Sequence, residues 1–123
     1  LKMLQKYPEY EKEVKVPEKV WPLRIWYMYE QDVCTLIDVN EQERKVKIRN
    51  YTDRVMFRAF GTVENPDYKD YQEFLESRCF PESRDKMKLI LKDLGLPFYD
   101  PIMIIEKTEG RMAEDDFWIR IER

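Results

Sequence analysis

The chain changes its hydrophobic period once, near Gly61, and that change limits the folds open to it. Upstream, Leu23, Ile25, Tyr27 and Tyr29 alternate with Arg24, Trp26 and Met28, the period-two pattern of a strand. Large side chains stand on both faces, so both are expected to be at least half buried. Val33, Thr35, Ile37 and Val39 repeat the alternation, and the polar residues Asn40 to Glu43 lead into a third segment, Lys45-Val46-Lys47-Ile48-Arg49. That connection has no Asn-Gly pair, so turn chemistry alone does not set the register.

Downstream of Gly61 the spacing becomes helical. Asn65-Pro66 predicts a helix start, and Tyr68, Tyr71, Phe74, Leu75 and Cys79 follow on one side. Pro81 is expected to end this helix and open the next, whose Met87, Ile90, Leu91 and Leu94 form an apolar stripe closed by Gly95. Asp100-Pro101 starts a third helix to about Lys107, with Ile102, Ile105 and Met103 inward and Gly110 as its stop. Phe117, Ile119 and Ile121 then alternate as a final strand. Between Asn50 and Gly61 a helical turn capped by Thr52 or Asp53 is expected.

The order predicts an α+β fold: an antiparallel sheet or small barrel of about four strands, followed by three helices and a final strand. Residues 1–18, broken by Pro8 and Pro17, read as an arm or poorly ordered lead-in, with a strand over Lys12 to Val16 as the alternative. Residues 19–123 read as one domain, since 123 residues suit a single core.

Composition narrows the function classes. Net charge is −3 and the pI about 5.2, a poor match to binding by phosphate neutralisation, which needs a surplus of Lys and Arg on one face. Histidine is absent, which removes the usual proton shuttle near neutral pH and the commonest nitrogen ligand for metals. Cys34 and Cys79 lack a CxxC spacing and read as reduced thiols of a cytoplasmic protein. No apolar run is long enough to cross a bilayer.

Sites for chemistry are sparse. Gly61, Gly95 and Gly110 are isolated, so no glycine-rich phosphate loop is expected. Ser77 and Ser83 have no histidine to take a proton and read as surface or capping residues. Glu114-Asp115-Asp116 could hold a hard cation but reads as a solvated connection. Glu106 and Glu109 could pair as acid and base, in a chain where such pairs arise by chance. Cys79 could be activated by a helix N-terminus with Arg78 or Arg84, but reads as a packing residue. Lys45 to Arg49 beside Trp26 and Tyr27 could offer nucleic acid a charged, stacking face, which makes a nucleic-acid-associated regulator the alternative function. No catalytic residue, cofactor or metal is expected.

The string Phe74-Leu75-Glu76-Ser77-Arg78-Cys79-Phe80-Pro81-Glu82-Ser83-Arg84, followed by Leu94-Gly95-Leu96, Tyr99-Asp100-Pro101, Ile104-Ile105 and Gly110-Arg111, resembles the end of the N-terminal subdomain of HipA-like serine/threonine kinases. In that family a helix ends in a Leu-Pro-type break, a second ends near Leu-Gly, and an Asp-initiated third leads to a Gly-containing turn before the kinase core. The likeness covers residues 74–119. No phosphate loop, catalytic Asp loop or metal-binding Asp motif follows Ile119, so no kinase residue carries over. The resemblance implies a stand-alone counterpart of the subdomain: a non-enzymatic, accessory or antitoxin-like protein that binds a HipA-type kinase in a toxin-antitoxin system. Trp and Arg dominate interface hot spots, so an exposed Trp118 with Arg78, Arg84 and Arg111 is the expected partner surface. Ion pairs of Arg78 and Arg84 with Glu76, Glu82 or Asp85, and a core position for Trp118, are the alternatives.

Overall fold

The computed structural model describes residues 15–123. Its elements run β1 (Leu23–Tyr29), β2 (Asp32–Asn40), β3 (Lys45–Asn50), a 3₁₀ turn (Val55–Phe57), α1 (Tyr68–Ser77), α2 (Met87–Leu94), α3 (Pro101–Thr108) and β4 (Phe117–Glu122). The strands form one antiparallel sheet in the order β3-β2-β1-β4, so the final strand returns beside the first. This is the α+β arrangement expected from the order of periods. The strand alternative at 12–16 lies largely outside the described residues; Lys15 and Val16 are in no strand.

Two short connections join the first three strands. Tyr29 pairs with Asp32 across a two-residue turn in which Glu30 takes a left-handed φ of 52°. Its backbone is held from β4: Glu30 N–H donates to Asp116 O at 3.1 Å, and Trp118 Nε1 donates to Glu30 O at 2.6 Å. The β2–β3 loop is the longer polar one read from the sequence, and there Asn40 Oδ1 accepts from Glu43 N–H at 3.1 Å.

Both sheet faces are buried because both carry apolar side chains. On one face Leu23, Ile25, Tyr27, Ile37 and Val39 meet Tyr71, Phe74 and Leu75 of α1 and Ile102 and Ile105 of α3. Each such side chain contributes roughly 1.5–3 kcal/mol when fully removed from water. Phe117 stacks on Tyr27 at 4.9 Å, and Phe74 meets the same ring edge-on at 5.0 Å. The opposite face gathers Trp26, Met28, Val33, Leu36 and Trp118, with Val16 and Tyr51 packed against them. Beside this cluster Arg24 and Asp38 form a buried two-pronged ion pair at 2.7 and 3.0 Å. Burial works against the Arg24 charge, but the hydrogen bonds and charge of Asp38 outweigh it and hold its pKa above the ordinary value. The chain before β1 is tied to this face, since Arg24 Nη1 donates to Pro17 O and Tyr51 Oη to Lys15 O, each at 2.8 Å.

Helix boundaries differ from expectation where capping and packing compete. α1 begins at Tyr68 and not at Pro66, because Asp67 and Asp70 form a reciprocal capping box: Asp67 Oδ1 accepts from Asp70 N–H at 2.8 Å, and Asp70 Oδ2 from Asp67 N–H at 3.0 Å. Pro81 does not open the second helix, which starts six residues later at Met87. Residues 81–86 (Pro-Glu-Ser-Arg-Asp-Lys) offer no apolar face to bury, and a helix without one is marginal. The turn after β3 is a single 3₁₀ turn without a side-chain cap, and Thr52 instead accepts from Arg54 N–H through Oγ1 at 3.1 Å. α3 matches its start signal, with Asp100 Oδ1 accepting from Ile102 N–H at 3.0 Å. Its Ile104, not Met103, is the third deeply buried residue, because α3 also packs sideways on Cys79 and Leu91 in a satellite cluster.

Candidate functional site

The residues expected to meet a partner are placed very differently from one another. Arg78 is no surface residue: its side chain is 7% exposed. It follows α1, and its guanidinium reaches the segment that leads into β4. Nε donates to Gly110 O at 3.0 Å, Nη1 and Nη2 grip both oxygens of Asp115 at 2.9 and 3.1 Å, and Nη2 also donates to Phe117 O at 3.0 Å. The partner is Asp115, 37 positions away, and not Glu76 or Glu82. Asp115 is held below its ordinary carboxyl pKa first by these hydrogen bonds, with burial opposing and Phe117 N–H assisting.

Trp118 is also corrected from exposed to buried, at 8%. It lies on the second sheet face, where its alternation with Phe117 and Ile119 had placed it without telling how that face is covered. Arg111 is exposed, pairs with Glu109 at 2.8 Å and lies 4.9 Å over the Trp118 ring. Arg84 stands apart, exposed on the α1–α2 connection with its guanidinium 5.7 Å from the Phe80 ring centre. Arg78 thus holds Gly110 and Asp115 of the α3–β4 connection, Arg111 of the same connection lies over Trp118 on the other sheet face, and Arg84 is part of neither.

The other candidates are absorbed by the fold. Glu106 pairs with Arg123 at 3.0 Å, and Glu109 with Arg111, so they do not pair with one another as acid and base. Among the described residues no group of three or more His, Cys, Asp or Glu is placed to hold a metal ion. Burial pushes the Cys34 thiol up to about 11 and also raises Cys79, the reverse of activation. Trp26 and Tyr27 face opposite sides of the sheet and are both buried, so they give the basic strand no stacking platform. No helix among the described residues is long and apolar enough to cross a membrane.

What the sequence did not point to is a cleft of about 580 Å³ between the β2–β3 loop, α1, the connection after it and the start of α3. Tyr68 and Tyr71 line it from α1, their ring centres 5.4 Å apart, and Tyr99 lines it from the segment before α3. Its rim carries Glu73 and Glu76 from α1, Glu41, Glu82 and Asp100, against the single lysine Lys69. Among the described residues no ion pair engages Glu41, Glu73, Glu76 or Glu82.

The tyrosines differ in how their hydroxyls are satisfied. Tyr99 Oη donates to Phe80 O at 2.8 Å. Tyr71 is 1% exposed, and among the described residues none hydrogen-bonds its buried hydroxyl. Burial raises its pKa first, with the negative charge of Glu41 and Asp100 adding and Arg123 opposing. Tyr68 is raised by burial and then by Glu41, while Arg44, 5.9 Å from its ring centre, opposes. These phenols are therefore neutral acceptors and donors in a negative field. An unmet buried hydroxyl costs about 1–3 kcal/mol, and aromatic faces beside unpaired carboxylates attract cations. The spacing of Tyr68, Tyr71, Glu73 and Glu76 on α1 was a readable part of this signal; Glu41, Glu82 and Asp100 join only through the fold.

No family model, curated protein or solved structure matches this chain.

Proposed function

We propose that this protein is a non-enzymatic protein-binding module, and that its acidic cleft receives a basic segment of the partner. The observation that carries the reading is the convergence, on a preformed cleft lined by Tyr68, Tyr71 and Tyr99, of carboxylates that no ion pair engages among the described residues. Preformed concave sites of roughly 300–1,000 Å³ with a few convergent polar groups are typical recognition sites. Part of the cleft wall, from Leu75 to Ile102, lies in the stretch 74–119 that resembles the HipA-type N-terminal subdomain, while Tyr68, Tyr71, Glu73 and Glu41 lie outside it. The resemblance makes a HipA-type kinase the partner, with this protein as its accessory or antitoxin-like companion. Arg78 and Trp118 then serve to hold the docking stretch on the sheet, and exposed Arg111, paired with Glu109, lies at its edge. The nucleic-acid alternative gains nothing from a strand whose neighbouring aromatic rings are buried.

The test is affinity capture from the native host with tagged full-length protein at physiological salt. Recovery of a kinase-like protein in stoichiometric amount is the expected result. Recovery of nucleic acid alone, or of no kinase-like protein, would overturn the proposal.

A further inference from the structure

We infer that the outer edge of β3 is a second docking surface, which takes up an extended segment of a partner protein as an added strand with acidic side chains at alternate positions. The sheet ends differently on its two sides. At the β4 edge, Ile119 N–H donates to Glu109 O at 2.7 Å, so the end of α3 occupies part of that edge. At the β3 edge, among the described residues, no backbone group outside the sheet bonds residues 45–50.

The register says which groups lie open. Tyr51 N–H donates to Cys34 O at 2.8 Å, and the pairs continue as Arg49 with Leu36, Lys47 with Asp38 and Lys45 with Asn40. Hydrogen-bonded and non-bonded pairs alternate in an antiparallel ladder, so Lys45, Lys47 and Arg49 direct their backbone groups to β2. The N–H and C=O of Val46 and Ile48 therefore point away from the sheet, toward any strand that arrives. Side chains alternate as well. Lys45, Lys47 and Arg49 are exposed, while Val46 and Ile48 are half-buried against the core on the other face. The three charges are weakly answered within the chain. Lys45 is 3.4 Å from Glu43 with both side chains more than half exposed, and no ion pair among the described residues engages Lys47 or Arg49. Lys47 lies 4.6 Å over the Trp21 ring. Of the two acids lining the groove beside Lys47 and Arg49, Asp38 is bound by Arg24, and Glu18 is in no ion pair among the described residues.

This pattern selects the occupant. An added strand bonds through its backbone to Val46 and Ile48 and sets every second side chain beside a cation, so acids alternating with apolar residues match both faces. A second copy entering by its own β3 would bring like charges together, the device by which lysines keep exposed edges from pairing with themselves. A nucleic acid would answer the cations, but its phosphates offer no donor to the two open carbonyls. None of these residues lines the acidic cleft, so the outcome does not depend on the reading of that site.

The experiment is NMR titration of the full chain with a blocked Glu-Val-Glu-Val-Glu peptide, its analogue N-methylated at both valines, a Lys-Val-Lys-Val-Lys peptide and a short single-stranded oligonucleotide. The acidic peptide is expected to bind and to slow amide hydrogen exchange at Val46 and Ile48, while Lys47 and Arg49, already bonded to β2, are unchanged. N-methylation keeps the charge and removes both backbone donors, and should weaken binding about tenfold. Lys47→Glu should weaken it about fivefold, and the lysine peptide should not bind. Absence of binding by the acidic peptide, equal affinity of its N-methylated analogue, or no protection at Val46 and Ile48 overturns the proposal. Tighter binding of the oligonucleotide than of the acidic peptide overturns it in favour of nucleic acid. Self-association of the free chain that Lys47→Glu alters gives the edge to a second copy and overturns it as well.

Discussion

Two acidic regions of this molecule have opposite fates. At the α3–β4 connection Asp115 is answered by Arg78, and the pair is joined by hydrogen bonds to Gly110 O and Phe117 O. In the cleft, Glu41, Glu73, Glu76 and Glu82 have no ion pair among the described residues, and no described residue hydrogen-bonds the buried Tyr71 hydroxyl. The first region uses its charge to close the fold. The second keeps its charge available, at the cost of mutual repulsion in the free protein. Charge answered within the chain reports on stability, and under the proposed function the charge left unanswered is what a partner would meet.

This contrast predicts that substitutions at the Arg78–Asp115 pair act on folding and substitutions in the cleft act on binding. Arg78→Ala should have the largest effect, about 3–5 kcal/mol in urea unfolding, because it leaves Asp115 and two backbone carbonyls without their donor. A loss below about 1 kcal/mol would mean that the pair is dispensable. Gly110→Ala should follow. Its φ of +62° is unfavourable for any residue with a Cβ, and the added carbon would lie 3.1 Å from Ile119 Cδ1 and 3.5 Å from Arg78 Cβ. The backbone alone accounts for about 1–2 kcal/mol.

Asp115→Asn sharpens the comparison through pH. The folded protein holds this carboxyl below its ordinary value of 3.8. A depressed folded-state pKa adds stability that is present above the unfolded pKa and disappears as pH falls through the folded one. The stability gap between the parent and Asp115→Asn should therefore be complete above about pH 5 and shrink below about pH 4. A gap independent of pH would show that the carboxylate charge is not what Arg78 reads. The smallest effect is expected in the cleft, where Glu73→Gln should leave the urea midpoint unchanged or slightly raised, since it relieves repulsion without removing a partner.

Much of the architecture was legible because period and topology agree. The alternation in Leu23 to Tyr29 and again in Phe117 to Ile121 placed two strands that prove to be neighbours, and Asp100-Pro101 marked α3 to the residue. The failures have local causes. Asn65-Pro66 has the composition of a helix start, but the reciprocal Asp67–Asp70 box satisfies more backbone and sets the boundary two residues later. The stripe of α2 is the cleanest in the sequence, yet Leu91 is its one buried residue and Leu89 is 58% exposed, because α2 packs only on the satellite cluster. Periodicity shows which side of a helix is apolar, not how much of the core it meets.

The sites were less legible for the same reason. Arg78 and Asp115 are 37 positions apart, and nothing in either neighbourhood tells one to expect the other. An Arg in a charged helix end looks like a surface residue until the segment before β4 folds back over it. The cleft draws Glu41 from a strand turn, Glu82 from a loop and Asp100 from a helix cap. A hydroxyl without a partner is a property of three dimensions alone.

The most direct test of the contrast is a double charge reversal in the cleft, Glu73→Lys with Glu76→Lys, measured for both stability and capture of the host partner. Both side chains are exposed, so unfolding should be unchanged while capture of the kinase-like protein is lost. Undiminished capture by a stably folded double variant would contradict the account.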